Sequence, residues 1–166
     1  MMSDFRLTSY PGVLLRKLNG DDNEVLFRLF VDSHDPLQAA IAGLDETQRG
    51  SFLRIQFEAQ QAQYRHHYPG ARFDVIVVES EVIGNIYAAP GDCELRLVDI
   101  NLQARFRNRG IGRALLQDLL DEAAASKKGV RLHVMRGNPA VRLYTRLGFN
   151  DLGEQGIHRC MEWRPS

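Results

Sequence analysis

A β-rich run, Glu94 to Leu102 (ELRLVDINL), leads into RFRNRGIGRALL at residues 105–116, and this junction constrains the fold more than any other part of the chain. After Gly110, the residues Ile111, Leu115, Leu116, Leu119 and Leu120 recur at helical spacing as far as a KKG stop at 127–129. A strand that passes through two glycines into a helix presents the first helical amides. Those amides have no partner inside the helix and lie at the positive end of its dipole. Such a turn can hold phosphate, and glycine helps because a side chain would keep a ligand's oxygens away from the backbone.

The flanking pattern places this junction in a mixed sheet. Val13–Leu18 reads as a first strand, and Asp21 or Asp22 is positioned to cap a helix carrying Val25, Leu26, Leu29 and Phe30, which Pro36 interrupts. Further helices are expected over 37–43 and 45–67, the latter opened by a capping box of Asp45 and Gln48. Residues 73–78 and 82–88 form an antiparallel hairpin across an ESE turn, followed by the strand 94–102, the helix from Gly110 and a strand over 130–135. A short helix begun by Pro139 and one or two terminal strands complete the chain. Strands that first meander and then alternate with helices predict an α/β protein of the α+β type, its sheet antiparallel early and partly parallel later.

At 166 residues, without repeats or a linker, a single domain over 1–166 is expected. Lys plus Arg and Asp plus Glu both number 21, so no global field favours nucleic acid or membrane as a partner. Cys93 and Cys160 are far apart and have no metal-like spacing, so neither a disulfide nor a metal is expected. The amino terminus lacks a basic segment followed by an apolar one, which makes a cytoplasmic protein the expectation.

Other readings of the glycine turn fare unevenly. A Walker loop requires Lys and then Ser or Thr after its last glycine, but Arg113 and Ala114 stand there. A dinucleotide fingerprint requires a third small residue where Leu115 lies, and an acid on the distal strand, which reads RLHVMR. Arg105, Arg107, Arg109 and Arg113 could track a nucleic-acid backbone, but only Phe106 interleaves them. A glycine turn that simply starts a helix also fits.

Arg107-Asn108-Arg109-Gly110-Ile111-Gly112 resembles the R/Q-x-x-G-x-G/A signature of the GNAT superfamily of acyl-CoA-dependent N-acetyltransferases. Downstream, Asn138-Pro139-Ala140-Val141-Arg142-Leu143-Tyr144 followed by Gly148-Phe149 resembles that family's N-x-x-A-x-x-L-Y-x-x-x-G-F segment, with the small residue at 140. The resemblance covers residues 94–150 and fits the order of elements elsewhere. It implies a mostly antiparallel central sheet, flanked by helices and splayed between the fourth and fifth strands, with acetyl-CoA as acyl donor in the gap. Backbone groups around Ile100 and Leu102 would then pair with the pantetheine. Amides of Arg107, Arg109, Gly110, Ile111, Gly112 and Arg113 would wrap the pyrophosphate, with arginine side chains adding charge and Arg105 left in solvent. Asn138 would contact the pantetheine arm or cap the following helix. Tyr144 would protonate the departing thiolate, unless it is only a packed core tyrosine.

In this family the acceptor amine attacks the thioester directly, so neither cysteine is needed as a nucleophile. An ammonium near its reference pKa of about 10.4 must first lose a proton, so a base is expected beside the gap. Asp99 is the first candidate, because its VDI setting would raise its pKa and Leu97 and Asn101 alternate with it. A carboxylate paired with Arg96 or Arg131 fits the same residue. His133, Glu94 and Glu79 are further candidates, His66-His67 are expected in solvent, and Arg54, Glu58 and Tyr64 lie where an acceptor could be read. The expected activity is transfer of an acetyl group to a primary amine of a small molecule, peptide or protein. A non-catalytic acyl-CoA-binding module of the same fold remains the alternative, and a homodimer is left open.

Overall fold

A computed structural model describes residues 4–33 and 39–166. Its strands are β1 (Phe5–Leu7), β2 (Val13–Lys17), β3 (Arg72–Val78), β4 (Glu81–Ala89), β5 (Glu94–Leu102), β6 (Gly129–Met135), β7 (Asn150–Gln155) and β8 (His158–Trp163). They form one sheet in the order 1-2-3-4-5-6-8-7, in which only β5 and β6 run parallel. The helices are α1 (Asn23–Ser33), α2 (Glu46–His67), α3 (Ile111–Ala125) and α4 (Ala140–Arg146). This is the α+β class that the pattern predicts, with the mostly antiparallel sheet that the family resemblance implies.

The sheet buries apolar side chains on both faces, which explains the continuous apolar run in β3. Val75 and Val77 pack with Leu26, Leu29 and Phe30 of α1 and Leu53 and Phe57 of α2. Ile76, Ile83 and Ile86 pack on the opposite face with Leu115, Leu116, Leu119 and Leu120 of α3. Strands covered on both sides lose the polar alternation of a half-exposed sheet.

Local chemistry sets the element ends. Asp45 accepts from the Gln48 amide at 2.8 Å and Gln48 returns a bond to the Asp45 amide, the predicted capping box of α2. Glu79 and Ser80 both hold positive φ, so the β3–β4 hairpin turns on two residues. The cap before α1 differs from expectation. Asn19 accepts from the Asp21 amide and opens a 3-10 turn, while Asp22 lies inside that turn, bonding the Asn19 amide and Arg16. Of the helix expected over 37–43, residues 37 and 38 lie outside the described residues, as does Pro36, and 39–40 are helical before a turn.

One strand was not foreseen. β1 is three exposed residues, too short to display a period, held by its register with β2. It makes the run 94–102 the fifth strand, so the splay expected between the fourth and fifth strands lies between the fifth and sixth. The pairing of β5 with β6 ends at Leu97↔Leu132, although β5 continues beside β4 to Gly84↔Leu102 and β6 continues beside β8 to Met135↔His158. Beyond Leu97 the two parallel strands therefore part.

Candidate active site

At the point of parting, β5 carries a bulge. Tyr87 pairs with Asp99 and Ala88 with Leu97, so Val98 has no partner on β4. A bulge inserts one residue and reverses which later side chains face a given side. Leu95 and Leu97 belong to the core under α3, and so do Ile100 and Leu102. Asp99 and Asn101 consequently face the other side, opposite Tyr87 and Asn85. Simple alternation correctly put Asn101 beside Asp99 but wrongly put Leu97 there.

Asp99 Oδ2 accepts from Asn85 Nδ2 at 3.1 Å and from Asn101 Nδ2 at 2.9 Å. The two arginines considered as its partners are engaged elsewhere: Arg131 lies against Glu94 and Glu162, and Arg96 donates to His133. Asn85 is buried and was missed from the sequence, although a lone amide within VIGNIYA was a signal. Three phenols lie within electrostatic reach of the carboxylate. Burial pushes the hydroxyls of Tyr64, Tyr87 and Tyr144 above the ordinary tyrosine range, and the Asp99 charge pushes each further. Tyr144 is 6% exposed and packs on Phe149, with ring centres 5.7 Å apart. It therefore belongs to the core and stands within the electrostatic reach of Asp99 as well.

At the wide end of the gap, Gly110 precedes α3 in the left-handed region, with φ 85°, and Asn108 has φ 60°. No side chain caps the helix, so its first amides face outward. A Cβ on Gly112 would meet nothing nearer than Leu102 Cδ1 at 3.8 Å. Packing within the protein thus does not require a glycine there. A turn with open amides and spare room suits an anion.

The neighbouring arginines have definite partners. Arg107 Nε donates to the Leu102 carbonyl at 2.9 Å, which ties the turn to the end of β5 and occupies an acceptor expected to serve a ligand. Arg105 pairs with Glu81 instead of standing free in solvent, and Arg105 and Arg109 both lie over the Phe106 ring. Arg113 is exposed at the helix start. These contacts give three of the four arginines partners within the protein. The loop between β1 and β2 braces the same turn, since Tyr10 Oη donates to the Arg109 carbonyl at 3.1 Å. Nothing in the sequence signalled that contact between residues so far apart.

On the β6 side, Asn138 Oδ1 accepts from the Ala140 amide at 2.9 Å, so the capping role considered for it is real and its amide nitrogen is left to donate. Asn138 borders a depression of about 390 Å³ lined also by Val141, Arg142 and Arg159. Glu79 lies in the β3–β4 turn, away from this region, while His66 and His67 are exposed on α2. Arg54 pairs with Glu24 and covers Phe27, a structural task. Among the described residues no cluster of three or more His, Cys, Asp and Glu could hold a metal, and no helix is long and apolar enough to cross a membrane.

The family model for the acetyltransferase (GNAT) family matches residues 37–149. The chain belongs to that family. Acetyl transfer from acetyl-CoA is the general chemistry of GNAT proteins, and the fold is shared with solved structures. PaiA N-acetyltransferase from Thermoplasma acidophilum, solved in complex with coenzyme A, is 21% identical with a TM-score of 0.67, over 92% of this chain and 98% of that one. An acetyltransferase from Thermus thermophilus is 18% identical with a TM-score of 0.65, over 95% and 99%. The ribosomal-protein-S18-alanine N-acetyltransferase from Escherichia coli is 17% identical with a TM-score of 0.62, over 93% and 94%. No curated protein matches the chain. At these identities the structures establish the fold alone.

Proposed function

We propose that this GNAT protein transfers the acetyl group of acetyl-CoA to the nitrogen of a primary amine, with both substrates bound at once. The observation that carries this reading is the end of β5–β6 pairing at Leu97↔Leu132, immediately before the bulge that turns Asp99 to the face opposite α3. Free backbone of β5 around Ile100 offers strand-like bonds to the pantetheine. Amides from Arg107 to Arg113 receive the pyrophosphate, with Arg109 and Arg113 adding charge. The Asn138 amide donates to the pantetheine while its oxygen caps α4.

In the reaction the neutral amine attacks the thioester carbonyl, a C–N bond forms and the C–S bond breaks. Asp99 takes a proton from the amine, and Tyr144 gives one to the departing sulfur. Burial and the Asp99 charge keep the Tyr144 phenol protonated, so it holds the proton to be given. The continuous sheet from β1 to β7 supports treating residues 1–166 as a single domain. An exposed free thiol at Cys93 suits a reducing compartment such as the cytoplasm.

Acetyl-CoA at about a hundred times its Kd is expected to stabilise the protein by about 2.7 kcal/mol, raising Tm by roughly 5–10 °C. Absence of a shift at saturation would remove the donor from this reading. A panel of primary amines, assayed for free thiol and for product mass, then checks the transfer itself. Gly112→Ala gives a sharper test of the turn. The added methyl meets no protein atom closer than 3.8 Å, so stability without ligand should hold, whereas acetyl-CoA affinity should fall by about tenfold or more. Unchanged affinity would move the pyrophosphate away from Gly112.

A further inference from the structure

On the face of the sheet that carries Asp99, one arginine beside the gap has no carboxylate to balance it among the described residues. Arg96 stands one rung below the last β5–β6 pair and, by alternation with Leu95 and Leu97, faces away from α3. Its register partner on β6, Arg131, is balanced by Glu94 and Glu162. Among the described residues Arg96 has only uncharged contacts. Its guanidinium donates to His133 Nδ1 and lies 6.0 Å from the centre of the Tyr68 ring.

A guanidinium always donates, so His133 Nδ1 accepts and the ring carries its proton on Nε2. That nitrogen in turn donates to Gln155 Oε1 at 3.1 Å. Burial pushes the His133 imidazole below its ordinary value and the charge of Arg96 pushes it further, with His158 and Arg131 acting in the same sense. The Arg96–His133 pair therefore carries a single positive charge. A half-buried cation with no counter-charge is unfavourable, and one hydrogen bond to histidine leaves most of its five N–H groups unused.

We propose that Arg96, oriented by His133, binds a carboxylate on the acceptor, so that the amine acetylated here belongs to an amino-acid-like molecule. The proposal rests on the acetyl-transfer reading above and narrows its acceptor. Asp99 receives the amine end, and Arg96, farther along the same face of β5, receives the anionic end through its planar fork. Neutral amines and polyamines lack the group that would complete the site, and leave Arg96 uncompensated.

The test uses protein saturated with CoA and calorimetric titration of matched pairs: glycine with glycinamide, β-alanine with β-alaninamide, and O-phosphoethanolamine with ethanolamine. At least one carboxylate is expected to bind about tenfold or more tighter than its amide. Arg96→Gln should reduce that preference to less than about twofold, and Arg96→Lys should keep part of it, while CoA binding stays unchanged in both. Equal binding within both carboxylate pairs, no binding of any carboxylate, or a preference that survives Arg96→Gln would overturn the proposal. A preference confined to the phosphate pair would overturn the carboxylate assignment. Failure of CoA itself to bind would instead strike the acetyl-transfer reading, and this inference with it.

Discussion

Tyr144→Phe is expected to lower kcat by about 10²–10⁴-fold while leaving acetyl-CoA binding within a few-fold of the native value. The substitution removes one hydroxyl from a ring that packs on Phe149 and is 6% exposed, so the core keeps its volume. What it removes is the proton offered to the leaving sulfur. Because burial and the Asp99 charge both hold the phenol above the ordinary tyrosine range, the native protein should show no loss of activity on the alkaline side from this group below that range. A stopped assay for the acetylated product across pH, with parallel titration of acetyl-CoA, checks both statements. Turnover like that of the native protein would leave Tyr144 as packing alone.

Asp99→Asn is expected to lower kcat by about 10²-fold or more at neutral pH, and the deficit should narrow as pH rises. The direction follows from the acceptor. Near neutrality an amine with a pKa of about 10 is almost wholly protonated, and a carboxylate beside it takes up the proton that attack releases. At higher pH the amine supplies its own neutral fraction, and less is asked of Asp99. A pH profile of the variant against the native protein reads this, and a deficit constant across pH would mean that Asp99 organises Asn85 and Asn101 without taking a proton.

Much of the fold follows from short-range signals. The hairpin of β3 and β4, the full length of β5 and the helical repeat of α3 were legible because each is written in contiguous residues of one period. The glycine turn and the Asn138 to Phe149 segment were legible for a related reason. A left-handed residue before a helix and a capping asparagine are properties of a few adjacent positions. Less was legible where contacts cross the sheet. β1 is too short for its alternation to signal a strand and exists through its register with β2. Arg105, Arg107 and Arg109 look alike in sequence, yet Glu81, the Leu102 carbonyl and Phe106 give them different surroundings.

By itself, then, the sequence determined the class of the sheet, the place of the open helix terminus and the residues from which a base and an acid could be drawn, since periodicity and turn chemistry act over a few residues. Only the tertiary structure decided which of them meet. The unpaired Val98 turns Asp99 away from Leu97, the pairing of β5 with β6 stops just short of Asp99, and Arg96 meets His133 rather than a carboxylate among the described residues. Strand register sets all three, and register is a balance of contacts between segments far apart in the chain, which no local pattern encodes.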